Sequence, residues 1–165
     1  MASVVEKVET KVADEVWIIT ALLHREHPES LDFSVEEIVA RARQEHIVEP
    51  LRPGFYVHAV QHCVANRPPN PGRYRMLFET SPSRRRLYRL GDSYHAEREG
   101  SKITPAREAL PVAYRGLLSW YRDWADSISS SAQPDPLLQL RESGKTLWAN
   151  EDADSYVRRL REGWE

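Results

Sequence analysis

Arg67-Pro68-Pro69-Asn70-Pro71-Gly72 is the segment that most limits what this chain can become. Its prolines lack backbone donors and fix φ, so a helix cannot cross it, and the closing glycine suits a turn. Whatever precedes the run must stop there, and whatever follows must set off in a new direction. Upstream, Gly54 to Asn66 places Val57, Val60 and Val64 on one stripe and His58, Gln61 and His62 on another, the pattern of an amphipathic helix. Downstream, Arg73 to Thr80 alternates Tyr74, Met76 and Phe78 with polar residues, and Arg86 to Leu90 is a second strand-like run. Between the strands, Ser81-Pro82-Ser83-Arg84-Arg85 is expected to form an exposed, basic hairpin tip.

The rest of the chain is organised around that break. Val12, Val16, Ile19 and Leu23, widened by Trp17, Ile18 and Leu22, predict a largely buried first helix ending near His27-Pro28. Ser34-Val35-Glu36-Glu37 is a capping box that opens a second helix over about 35–45, with Ile38, Val39 and Ala42 on its apolar face. Gly91 to Pro105 reads as an irregular polar connection. Tyr114, Leu117, Leu118, Tyr121 and Trp124 mark a fourth helix, with Pro111 suited to its first turn. The expected division is a domain over 1–126, a serine- and proline-rich linker over 127–136 and an amphipathic tail over 137–165. In that tail Asp152 and Asp154 stand near the start of a last helix carrying Tyr156, Val157, Leu160 and Trp164 at helical spacing.

Charge is distributed unevenly. The net −2 resolves into about −6 for residues 1–51, +7 for 52–89 and −3 for 90–165. The middle segment holds eight arginines, no lysine and one acid, Glu79. Such a field attracts phosphates and repels acidic surfaces. A single cysteine, Cys63, excludes an internal disulfide, the first residues lack the pattern of an export signal, and no apolar run reaches membrane-spanning length. These features lead us to expect a cytoplasmic protein without membrane attachment.

Three helices followed by a basic hairpin is the order of a winged helix-turn-helix, so the fold expected is mainly α with a small β-hairpin (α+β), plus an extended or helical C-terminal tail. In that geometry the third helix presents its polar face to a groove of double-stranded DNA and the hairpin follows the backbone. Arg73, Arg75, Arg84, Arg85 and Arg86 are then candidate phosphate contacts, joined by Arg67, while His58, Gln61, His62 and Asn66 are candidate base readers. The same arginines also suit a purely structural role, guarding a sheet edge or lying on one wet face.

Two resemblances sharpen this expectation. Gln61-His62-Cys63-Val64-Ala65-Asn66-Arg67-Pro68-Pro69-Asn70-Pro71-Gly72-Arg73-Tyr74-Arg75-Met76 makes residues 12 to about 124 resemble a bacterial winged-helix domain found in proteins of unassigned function. Leu140-Arg141-Glu142-Ser143-Gly144-Lys145-Thr146-Leu147-Trp148 and Asp152-Ala153-Asp154-Ser155-Tyr156-Val157-Arg158-Arg159-Leu160-Arg161-Glu162-Gly163-Trp164 resemble the C-terminal tails of bacterial type II antitoxins that neutralise PIN-domain ribonucleases. The second resemblance implies a tail that wraps the toxin through Leu147, Trp148, Tyr156, Val157, Leu160 and Trp164. It further implies that Arg158, Arg159 or Arg161, backed by Lys145, enters the toxin's acidic metal site while the other half represses the shared operon. Antitoxins with such tails usually carry smaller DNA-binding domains, which leaves the toxin type and operator geometry open. The competing expectation is a winged-helix regulator or adaptor whose tail forms a homodimer or hetero-oligomer or recruits a different protein; an RNA-binding module is a third.

No catalytic, cofactor or metal site is expected. His58 and His62 have the spacing of a metal pair but lack a completing glutamate, and Ser143-Gly144-Lys145-Thr146 lacks the first glycine of a phosphate loop. His24 with His27 reads as a surface pair, and Cys63 as a small buried hydrophobe.

Overall fold

The computed structural model describes residues 9–131 and 153–162. They form a mainly α fold with a small three-stranded antiparallel sheet. The chain divides into two compact units, 1–125 and 126–165. The first contains α1 (Val12–Glu26), β1 (Phe33–Ser34), α2 (Val35–Glu45), α3 (Gly54–Val57, continued by a π-helical turn over His58–His62), β2 (Leu77–Ser81) and β3 (Arg84–Leu87). A fourth helix, α4 (Gly116–Ser131), crosses the boundary, and α5 (Ala153–Glu162) belongs to the second unit.

α1 is the central element. Every residue from Ala13 to His24 is buried, as a helix packed on all sides must be. Two of its buried polar side chains have partners inside: Thr20 Oγ1 donates to the Val16 carbonyl at 2.8 Å, and Glu15 accepts from Arg52 at 2.7 Å. Tyr121 of α4 meets Trp17 edge-on, with ring centroids 5.8 Å apart. His24 corrects the expectation of a surface pair. It is 2% exposed, packs against Phe33 and Trp124, and accepts a hydrogen bond from the Leu87 amide through Nε2 at 3.3 Å.

α2 begins as the sequence predicts, with the Ser34 hydroxyl accepting from the Glu37 amide and the Glu37 carboxylate accepting from the Ser34 amide. The strand just before it, β1, is too short for any periodic signal. It pairs with β3, giving the order β1-β3-β2. β2 and β3 pair from Leu77↔Leu87 to Ser81↔Arg84, with a register shift between Glu79 and Ser81. The tip is therefore a tight Pro82-Ser83 turn, Ser83 lying at φ 62°, and Arg84 and Arg85 belong to β3 instead of the exposed tip expected for them.

α3 is shorter than predicted and is rotated from the valine stripe. Phe55, Ala59 and Cys63, spaced by four, are buried, whereas Val57 is 44% exposed. The aromatic ring buries more apolar area than a valine and so fixes which face turns inward. Val64 is buried outside the helix, bridged to Leu77. At the other end, a 3-10 turn over Val112–Tyr114 follows Pro111, and α4 starts only at Gly116. α4 then runs through Ser127–Ser131, half of the expected linker; serine is only moderately poor in a helix, and extending one already nucleated costs little. Residues 132–136 lie outside the described residues. Among the described residues no helix is long and apolar enough to cross a membrane.

Candidate nucleic-acid interface

The C-terminal end of α3 poses a chemical problem, because the last four carbonyls of a helix have no partner within it. Here two buried arginines supply donors. Arg85, 1% exposed, reaches from β3 with Nε to the Ala59 carbonyl at 3.1 Å and Nη2 to the Val60 carbonyl at 3.3 Å. Arg98, fully buried, gives Nη2 to the Gln61 carbonyl at 2.9 Å and Nη1 to the His62 carbonyl at 2.8 Å. The same guanidinium also donates to the carbonyls of Arg67, Tyr74 and Pro68, tying the proline-rich loop to the helix end. Burial lowers the pKa of both arginines from the ordinary value. Arg85 is thus committed to the interior and is unavailable as the phosphate contact expected of it.

Most of the remaining positive charge is answered within the fold. Glu79 sits between Arg67 and Arg85. Its backbone is held by Asn66, whose side chain donates to the Glu79 carbonyl at 2.9 Å and accepts from its amide at 2.8 Å. Arg86 pairs bidentately with Asp92 at 2.7 and 2.8 Å and lies 4.4 Å over the Phe78 ring. Burial pushes the Asp92 carboxyl up, but the hydrogen bonds from Arg86 and the Arg89 amide outweigh it and hold the pKa below normal. Arg84 donates to Asp32 at 2.6 Å yet keeps 43% of its side chain exposed. Arg75 stacks 4.3 Å over Tyr94 and donates to the Ser101 carbonyl. Arg73 is exposed and has no ion pair among the described residues.

The expected base readers are likewise engaged. His58 Nδ1 bonds the Gly54 carbonyl at 2.8 Å, and Gln61 Nε2 donates to the Pro68 carbonyl at 2.6 Å. His62 packs edge-on against His58 at 4.7 Å, with Nδ1 buried and unpartnered; burial, aided by the neighbouring His58 and Arg98, lowers its pKa. A Cβ at Gly72 would lie 2.7 Å from the His62 Cβ, so glycine is needed there for close approach. The predicted set is therefore not one cluster. Arg84 flanks the hairpin turn, whereas Arg73 and Arg75 precede β2 at the end away from that turn.

Sequence reasoning missed the outward face of α3, where Tyr56 is 57% and Val57 44% exposed, and it missed Arg98. One signal was present: Glu79, a lone acid among eight arginines, marks where internal pairing concentrates. Among the described residues no group of three or more His, Cys, Asp or Glu side chains is placed to hold a metal ion.

In the second unit, α5 exposes Val157, at 45%, together with Arg158, Arg159 and Arg161. Leu147, Trp148 and Trp164 lie outside the described residues, as do the side chains of Tyr156 and Leu160. No protein-family model, curated protein or solved structure matches this chain.

Proposed function

We propose that this chain is the antitoxin of a type II toxin-antitoxin pair. On this reading unit 1 is a winged helix-turn-helix domain that binds operator DNA and represses transcription, and the C-terminal segment neutralises a PIN-domain-like ribonuclease in the cytoplasm. The observation that carries the reading is the element order helix, strand, helix, helix, hairpin, with β1 completing the sheet beside β3. That order suits a third helix seated in the major groove with the hairpin along the backbone. The groove contacts then fall to Tyr56 and Val57, which suit the methyl-bearing edge of thymine, and the phosphate contacts to Arg84, Arg73 and the accessible part of Arg75. Supporting the second half, α5 carries three exposed arginines beside Val157. A guanidinium among a nuclease's clustered carboxylates would take the charge role of its metal ion, so inhibition needs no chemistry from this chain.

The test is to purify the tagged full-length chain, and a version ending at Ser130, from native cells and assay the bound fractions for metal-dependent ribonuclease. A nuclease that accompanies only the full-length chain, silent until Arg158, Arg159 and Arg161 are replaced by alanine, is the expected result. Absence of any tail-dependent nuclease would refute the antitoxin reading and leave duplex binding to be judged on its own.

A further inference from the structure

The C-terminal half of α2, the segment 46–53 and the first turn of α3 enclose an open cleft of about 610 Å³. Its walls are apolar where Val39, Val48 and Leu51 line it, and the half-exposed Tyr56 ring stands at its edge. The polar groups around it are unevenly satisfied. Arg43 is exposed and makes no hydrogen bond or ion pair among the described residues. Arg52 uses Nη2 for Glu15 and the Thr10 carbonyl, and its Nε is buried without a partner. Glu49, also in the lining, is bonded to His46.

We propose that this cleft binds a small monocarboxylate with an aromatic or branched apolar body. The volume falls in the range of small-molecule sites, which typically combine apolar walls with a few placed polar groups. One unpaired guanidinium, Arg43, matches one carboxylate through a bidentate pair. The charge of Arg52 is already answered by Glu15, and the Glu49 carboxylate in the lining is engaged by His46, so among the described residues Arg43 is the one cation of the lining left for a ligand and balances a single negative charge. A nucleotide, with about two negative charges or more, is therefore a poor occupant, and an amphipathic monoanion a good one. The ligand's apolar body would pack on Val39, Leu51 and Tyr56. Because these residues come from α2, the connecting segment and α3, occupancy would fix the angle between the two helices and with it the presentation of Tyr56 and Val57. The binding site itself does not depend on the duplex-binding reading.

The probe is indole-3-acetate, titrated into the full-length chain by calorimetry and by amide NMR, with indole-3-acetamide as the uncharged control. Saturable binding below about 1 mM is expected, with amide shifts centred on residues 39–56 and at least a tenfold loss, about 1.4 kcal/mol, for the acetamide and for Arg43→Gln. Arg43 is exposed, so the variant is expected to keep the wild-type circular dichroism and melting temperature. Lack of saturation at about 10 mM, or equal binding by Arg43→Gln or by the acetamide, would overturn the proposal.

Discussion

Replacing Arg98 by methionine keeps much of the side-chain volume and removes every donor, so it isolates what this buried cation contributes. Five carbonyls converge on the guanidinium, those of Gln61, His62, Arg67, Pro68 and Tyr74. Two of them keep another partner after the change, since Gln61 also accepts from the Val64 amide and Pro68 from the Gln61 side chain. The other three are left without a partner in a region that Arg98 had filled. An unsatisfied buried carbonyl costs about 1–3 kcal/mol, so the three together cost roughly 3–9 kcal/mol, partly offset because a charged group no longer has to be desolvated. A net loss of about 3–4 kcal/mol is expected, equivalent to a fall of roughly 10–20 °C in melting temperature for a domain of this size. Urea unfolding followed by tryptophan fluorescence measures it, and hydrogen exchange should show the greatest loss of protection around residues 61–76. Arg98→Lys restores the charge but not the planar fork, and should recover less than half of the loss. A loss below about 1 kcal/mol for the methionine variant would mean that water satisfies these carbonyls as well as the arginine does, and would refute the capping argument.

Three further outcomes follow from the same contacts. Burial lowers the His24 pKa from 6.5 to about 4, so between those values the unfolded chain binds a proton that the folded chain does not. Stability is therefore complete above about pH 6.5 and falls as pH drops toward 4; at about 1.4 kcal/mol per unit the loss approaches 3 kcal/mol, and His24→Gln, which keeps an acceptor for the Leu87 amide, should remove that part of the slope in urea titrations from pH 7 to 4.5. Glu79→Gln leaves the 1%-exposed Arg85 without its counterion and should cost about 2–3 kcal/mol in urea unfolding, whereas Arg67→Gln, at a side chain 35% exposed, should cost about 1 kcal/mol or less; equal losses would contradict the difference in burial. If unit 1 binds duplex DNA as proposed, Arg84→Gln and Arg73→Gln should each reduce the slope of log affinity against log salt by about one in fluorescence anisotropy, and an unchanged slope for both would remove them from the interface.

The helical half of the fold was legible because its signals are local. The α1 stripe and the Ser34-to-Glu37 capping box specify helices that tertiary packing then confirms. Where the reading slipped, a non-local contact decided the outcome. Val57, Val60 and Val64 have good helical spacing, yet Phe55 buries the larger surface and turns a different face inward. β1 exists only because β3 offers an edge for Phe33 and Ser34 to pair with, and the position of the hairpin tip depends on a register shift beside Glu79 that no alternation of residues announces.

The candidate site was harder to read because counting arginines says nothing about what each one faces. Within β3, Arg84, Arg85 and Arg86 are consecutive and chemically identical, and strand alternation sends the middle one to the opposite side of the sheet from its neighbours. Arg85 meets the carbonyls that α3 leaves unpaired where its helical pattern gives out, so a basic segment beside a helix end can mean capping as readily as ligand binding. The acids give the better indication. Glu15, Asp32 and Asp92 each take an arginine from the basic stretch and Glu79 takes two, and of these acids only Glu79 lies within that stretch, so the other pairings emerge only once the chain has folded. The cations left with substantial exposure, Arg73 and Arg84, are thus the physically meaningful remainder of the +7 that residues 52–89 carry. Any polyanion bound at this surface must be held mainly by them and by groups outside the basic segment, which makes a modest salt dependence the expected signature of binding there.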